Sequence, residues 1–187
     1  VYKRQVKVNE KFSNIKIRVD ANQGYKVNDL EKFINATKKM GLEIIEQPLI
    51  VGKEAELARI DQQYRSILVA DESLKNSKSA IHFTPSPQPF GIFNIKLMKC
   101  GGILSAFEIA TIAKAADIDL FWGCNDESIV SITAALHAAF ACTNTKYLDL
   151  DGSFDLAEDI VSGGFLLNDG MMSLPNKAGL GVELKQT

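Results

Sequence analysis

Short apolar runs alternate along this chain with longer stretches whose apolar residues recur every three or four positions. The short runs read as β-strands at Ile15–Val19, Glu43–Ile45, Ile67–Ala70, Phe93–Leu97, Asp119–Phe121 and Tyr147–Leu150. Between the first two, Leu30, Phe33, Ile34 and Met40 mark one face of a helix over Val27–Met40, which Gly41 ends. Leu57–Tyr64 is a second, shorter helix, and Ser105–Ala116 and Ile129–Ala141 are Ala-rich helices suited to packing on a sheet. Strand and helix in regular alternation predict a parallel α/β architecture. Three prolines in Ser77–Gly91 predict a short or broken helix there. The stretch Gly163–Thr187 is rich in Gly and turn residues and carries no clear period.

With 187 residues, 46% of them hydrophobic, the chain can build one substantial core. Basic and acidic residues nearly balance (21 against 23), so no charge footprint points to nucleic acid. The apolar runs are short and broken by charges, which argues against a membrane span, and no secretory signal is read at the start. Cys100, Cys124 and Cys142 are odd in number and scattered; they read as reduced thiols of a cytoplasmic protein. His82, beside the proline-rich loop, and His137, in an Ala-rich helix, form no motif and are given no catalytic role.

The chemistry concentrates at the strand ends. Asp20 in IKIRVDANQGY, Glu46 in LEIIEQP and Asp71 in ILVADES are spaced 26 and 25 residues apart, about one strand-plus-helix unit each. Lys96 in FNIKLMKCGGI follows at the next step of 25. Carboxylates repeated at the ends of successive parallel strands point into one site, and three together require a cation; hard oxygen ligands suit Mg²⁺. Each residue alone has a plainer reading. Asp20 before Ala-Asn-Gln-Gly suits a turn, Glu46 before Gln-Pro suits a solvated loop, and Asp71 suits the cap of a helix starting near Ser73. Lys96 alone suits a solvated strand-end amine. The common phase of all four favours the site.

VDANQGY, IEQP, VADES and NIKLMKCGGI together resemble the muconate-lactonizing-enzyme subgroup of the enolase superfamily. FWGCNDES and YLDLDGSFDL resemble strands seven and eight of its dipeptide epimerases, of the L-Ala-D/L-Glu type. The resemblance implies a partial TIM-like (β/α)7β barrel made of strands three to eight, without the N-terminal capping domain and strands one and two. It implies a partial barrel domain over residues 1–162 and a segment 163–187 that returns toward the capping domain. The implied reaction is Mg²⁺-dependent epimerisation of a dipeptide, in which the proton next to a carboxylate is removed to give an enolate. Asp20, Glu46 and Asp71 would hold the cation and Lys96 would be a base, its neutral form favoured by the nearby positive charge. Lys99, past the strand end, is expected either to support the site from behind or to be structural, and the Gly101–Gly102 pair to shape the turn. Asp149 and Asp151, two apart and so on one side of a strand, would bind the dipeptide's free ammonium; alone, the pair also suits a turn into Gly152. Asn125, Asp126 and Glu127, after strand seven, would line the same pocket.

The resemblance also implies a second lysine, from a Lys-x-Lys motif on strand two, and this chain has no match for it. Lys3 and Lys7 fall where a helix before strand three is expected, and the role is not transferred to them. The chain is therefore expected to be a C-terminal fragment, inactive alone, and its opening VYKRQ is expected not to be native. The expected partner is a small dipeptide, with neither nucleic acid nor membrane, and a homo-oligomer is compatible with the full-length protein. Two alternatives stand beside this reading. One is another enzyme of the subgroup: a cycloisomerase, an N-acylamino acid racemase or an o-succinylbenzoate synthase. The other is a metal-binding fragment without turnover.

Overall fold

The computed structural model describes residues 7–8, 10–12 and 15–185. Six strands hydrogen-bond in chain order, β1-β2-β3-β4-β5-β6, in one sheet. They are β1 (Ile17–Asp20), β2 (Leu42–Glu46), β3 (Leu68–Ala70), β4 (Ile92–Ile95), β5 (Asp119–Trp122) and β6 (Thr145–Leu148). The helices between them are α1 (Val27–Thr37), α2 (Gln62–Arg65), α3 (Ser77–His82), α4 (Leu97–Cys100), α5 (Ile103–Ala115) and α6 (Ile129–Ala141). This is the α/β order expected of barrel strands three to eight. The opening VYKRQ lies outside the described residues.

The chain divides into two compact units, residues 1–74 with 81–93, and residues 75–80 with 94–187. In the first, β1 pairs with β2 in parallel register from Ile17↔Leu42 to Asp20↔Glu46. Glu46 in turn pairs with Val69, and Ala70 with Phe93. Helix α1 buries Val27, Leu30, Phe33, Ile34 and Thr37, the stripe that its periodicity predicts. It ends at Thr37 rather than Met40. The chain turns there, with Met40 N donating to Thr37 O, before Gly41 takes the left-handed φ of 65° that starts the return to β2.

The helix predicted over Leu57–Tyr64 is two pieces. A 3-10 turn covers Glu54–Arg59, and α2 begins only at Gln62. Ile60 between them is extended and buried, which breaks the helical ladder. The Arg65 guanidinium satisfies the carbonyls at the break, bonding Ile60 O at 2.6 Å and Ala58 O at 3.2 Å. Burial decides against helix continuity here, since an extended Ile60 fills the core.

In the second unit, β5 and β6 run parallel from Leu120↔Thr145 to Trp122↔Leu148. Trp122 is fully buried, and its indole N–H reaches Thr145 Oγ1 at 3.0 Å. Helix α6 starts at the N-cap Ser128 and buries a continuous set that includes Ile132, Ala135, Leu136 and Ala139. The turn-rich C-terminal stretch forms strands after all. Val161–Gly163 pairs antiparallel with Val182–Leu184, and Leu166–Asn168 with Met171–Ser173. The first of these strands, Val161–Gly163, lies at the start of that stretch. Its glycines and short runs hide the period of two that would have marked it. Among the described residues no helix is long and apolar enough to cross a membrane.

Candidate functional site

Asp20 and Glu46 are the last residues of β1 and β2, and Asp71 directly follows β3. The pairing Asp20↔Glu46, and of Glu46 with Val69, brings the three to the same end of three adjacent parallel strands. Their burial rises along the series: Asp20 is exposed, Glu46 is half-buried and Asp71 is buried. Asp20 Oδ1 accepts from Asn22 N at 2.8 Å, and Asn22 and Gln23 turn through φ of 42° and 64°. The turn reading and the strand-end reading of Asp20 are thus both realised. No helix starts at Ser73 for Asp71 to cap; the next one is α3 at Ser77.

A neighbour that the sequence reading passed over ties this end together. Gln47 is fully buried, and its side-chain oxygen accepts from Asp71 N at 3.0 Å and Ser73 N at 3.2 Å. Its amide nitrogen donates to Leu49 O and to Ser73 Oγ. The Ser73 hydroxyl then donates to Glu54 Oε1 at 2.5 Å.

The donors present are carboxylate oxygens, the kind that a hard divalent cation takes. Glu72, beside Asp71, buries Oε2 with no hydrogen-bond partner among the described residues. A buried carboxylate oxygen without a hydrogen-bond partner suits a cation. The chemistry of this donor set fits Mg²⁺. Among the described residues no three His, Cys, Asp or Glu side chains are grouped to hold a metal ion.

In the second unit, Lys96 immediately follows β4 and is half-buried. The strand predicted to Leu97 stops at Ile95, because α4 begins at once: Lys99 N and Cys100 N both donate to Lys96 O at 3.0 Å. Gly101 and Gly102, with φ of 94° and 97°, end α4 and open α5. They shape the turn as read. Lys99 Nζ donates to Asn94 O at 3.0 Å. Asn94, two residues before Lys96, is buried, and its side chain lies where a Cβ on Gly123 would stand, 2.6 Å from Oδ1.

The loops after β5 and β6 meet at Cys124. Its Sγ lies 3.3 Å from Asp149 O and 4.0 Å from Asp151 Oδ1, and it accepts from Gly152 N at 3.3 Å. Burial pushes the Cys124 thiol above its ordinary pKa, and the charges of Asp151, Glu127 and Asp149 push the same way, against the Gly152 N–H. A protonated thiol packed here fits structure better than nucleophilic work. Asp149 and Asp151 are both exposed, with Leu150 buried between them. They stand beyond the end of β6 at Leu148, although Asp149 N still reaches Trp122 O at 2.9 Å.

Asn125 and Asp126 are exposed on the loop after β5. Glu127 is buried and structural, accepting from Asn125 N and from the Ser131 hydroxyl. Asp159, unread in the sequence, caps α6: Ser128 Oγ and Ile129 N bond its carboxylate at 2.8 and 2.7 Å. Desolvation raises the Asp159 pKa, but the donors from Ile129, Ser128, Val161 and Ile160 outweigh it and leave the carboxyl below its ordinary value. It lies 31 residues from Ser128, and no local pattern marks such a cap.

Comparison with known proteins gives a consistent picture. The family model for the enolase C-terminal domain-like fold matches residues 2–187. The chain is 53% identical over 181 residues to an L-Lys-D/L-Arg epimerase of Desulforapulum autotrophicum, covering 96% of this chain and 51% of that protein. It is 33% identical to the L-Ala-D/L-Glu epimerase of Bacillus subtilis over 175 residues, 91% of this chain and 47% of that protein. A solved dipeptide epimerase from Methylococcus capsulatus, complexed with Mg and the dipeptide L-Arg-D-Lys, superposes with a TM-score of 0.93 at 47% identity. That match covers 97% of this chain and 51% of the solved one. The chain thus spans about half the length of the relatives it matches.

Proposed function

Because the chain belongs to the enolase C-terminal domain-like family, we propose that it carries the cation-binding and base-bearing part of a Mg²⁺-dependent dipeptide epimerase. The observation that carries this reading is the series of strand-end groups: Asp20 and Glu46 end two successive parallel strands, and Asp71 and Lys96 directly follow the next two. Asp20, Glu46 and Asp71 hold the cation. When bound, Mg²⁺ stabilises negative charge developing on the substrate carboxylate. The Lys96 amine takes the α-proton, and the C–H electron pair moves into the carboxylate to give an enolate. Return of a proton to the opposite face needs a second acid, which we place upstream of β1. The 187-residue chain alone therefore does not epimerise.

Asp149 and Asp151 bind the dipeptide ammonium, two acceptor groups for one three-donor cation. Asn125 and Asp126 border that pocket. This pair favours a dipeptide over the cycloisomerase and N-acylamino acid racemase alternatives, whose substrates carry no free ammonium. The names of the relatives favour Lys- and Arg-containing dipeptides over Ala-Glu, at 53% against 33% identity. The cytoplasm is the proposed compartment, in keeping with three free cysteines.

The test is metal dependence. In the full-length protein, Asp20→Asn, Glu46→Gln and Asp71→Asn should each abolish turnover or sharply raise the Mg²⁺ requirement. Unchanged activity and Mg²⁺ dependence in all three would sink the cation site.

A further inference from the structure

Gln47 connects two of the proposed cation ligands without being one. It follows Glu46 in sequence, and its side chain closes on the backbone of Asp71 and Ser73. The amide uses its whole capacity: the oxygen accepts two N–H groups and the nitrogen donates to Leu49 O and Ser73 Oγ. The Ser73 hydroxyl receives that donor and has one proton to give, which goes to Glu54 Oε1. Glu54 is itself held by Gly52 N, at 2.9 and 3.0 Å to its two oxygens. The chain of donors therefore has one direction. Rotating the Gln47 amide would set its NH₂ against two backbone N–H groups and its oxygen against Leu49 O. Gln47 is fully buried, Ser73 is 6% exposed, and Gln47 holds a left-handed φ of 30°. A β-carbon disfavours that conformation, so the side-chain bonds hold it in place.

We propose that Gln47 is a positioning residue for the divalent cation, and that Ser73 and Glu54 fix its orientation. Its side chain sets the spacing between the Glu46 backbone and the Asp71 backbone, so that the two carboxylates start from fixed points on neighbouring strands. This rests on the cation reading of Asp20, Glu46 and Asp71. Partners behind metal ligands commonly change metal affinity about 10–100-fold when removed.

The test is direct Mn²⁺ binding to the 187-residue chain, read by electron paramagnetic resonance, with circular dichroism confirming that each variant is folded. Gln47→Met and Ser73→Ala should weaken Mn²⁺ binding by about tenfold or more. Gln47→Glu separates position from charge. It adds a negative charge near the ion but loses both donors, and it too should bind more weakly than the parent. Folded variants that bind within about twofold of the parent would overturn the proposal, and so would tighter binding by Gln47→Glu. If Gln47→Met does not fold, Ser73→Ala decides by the same criterion. A parent chain with no saturable Mn²⁺ binding would overturn the cation reading itself, and this proposal with it.

Discussion

Replacing Gly152 with alanine should pry apart the two loops that carry the proposed ammonium site. A Cβ at Gly152 would lie 1.9 Å from Asn125 O, 2.9 Å from Asn125 C and 3.1 Å from Cys124 Sγ. Real Cβ contacts do not fall under 3.0 Å, so one of the two segments must move by at least about 1.1 Å. The atom in the way is a backbone carbonyl, which cannot swing aside as a side-chain tip can. Overpacking of this kind costs about 1–3 kcal/mol. For a domain of this size that corresponds to a melting point lower by roughly 2–12 °C. The same displacement moves Asp149 and Asp151 relative to Asn125 and Asp126, and a misplacement of about 1 Å can cost about a hundredfold in rate. The assay pairs thermal melting of the chain with kcat/KM of the full-length protein on a dipeptide, with Ser153→Ala as the neighbouring control. A Gly152→Ala protein that melts within about 1 °C of the parent and keeps its kcat/KM would refute the close approach of these loops.

Three further outcomes follow from the same geometry. In the full-length protein, Lys96→Ala should lose epimerisation while one stereoisomer still exchanges its α-proton with D₂O; exchange of both would remove Lys96 from catalysis. Asp149→Asn or Asp151→Asn should raise KM for dipeptides and spare any N-acylated substrate; equal losses on both would refute an ammonium site. Burial raises the Glu43 pKa, but bonds from Arg18 and Lys16 outweigh it and leave the carboxyl below its ordinary value. Such a group stabilises the fold above its unfolded pKa, and that stability is lost as pH falls through its folded pKa. Glu43→Gln should therefore flatten the acid limb of a stability–pH curve below the ordinary glutamate range, and an unchanged limb would show that the pair contributes nothing.

The strand order and the strand-end acids were legible because each depends on a local pattern. An apolar run followed by Asp or Glu, repeated at a near-constant interval, needs no knowledge of the third dimension. Lys96 was legible in the same way, although its strand stops at Ile95, two residues before the predicted end, because α4 starts at once. What stayed hidden depends on partners far apart in sequence. Gln47 looks like any polar residue in a loop until Asp71 and Ser73 close over it, 24 and 26 residues away. Asp159 caps a helix that starts 30 residues before it. The break at Ile60 was hidden because helical periodicity cannot tell a buried extended residue from a buried helical one.

The measurement that bears most directly on the account is proton NMR of the full-length protein with Mg²⁺ and a Lys- and Arg-containing dipeptide in D₂O, started separately from each stereoisomer. Both should reach the same mixture with deuterium at the epimerised α-carbon, a chelator should stop the reaction, and residues 1–187 alone should give no interconversion. Unchanged stereoisomers without α-deuteration, or interconversion by the isolated chain at a rate typical of enzymes, about 10 per second, would contradict it.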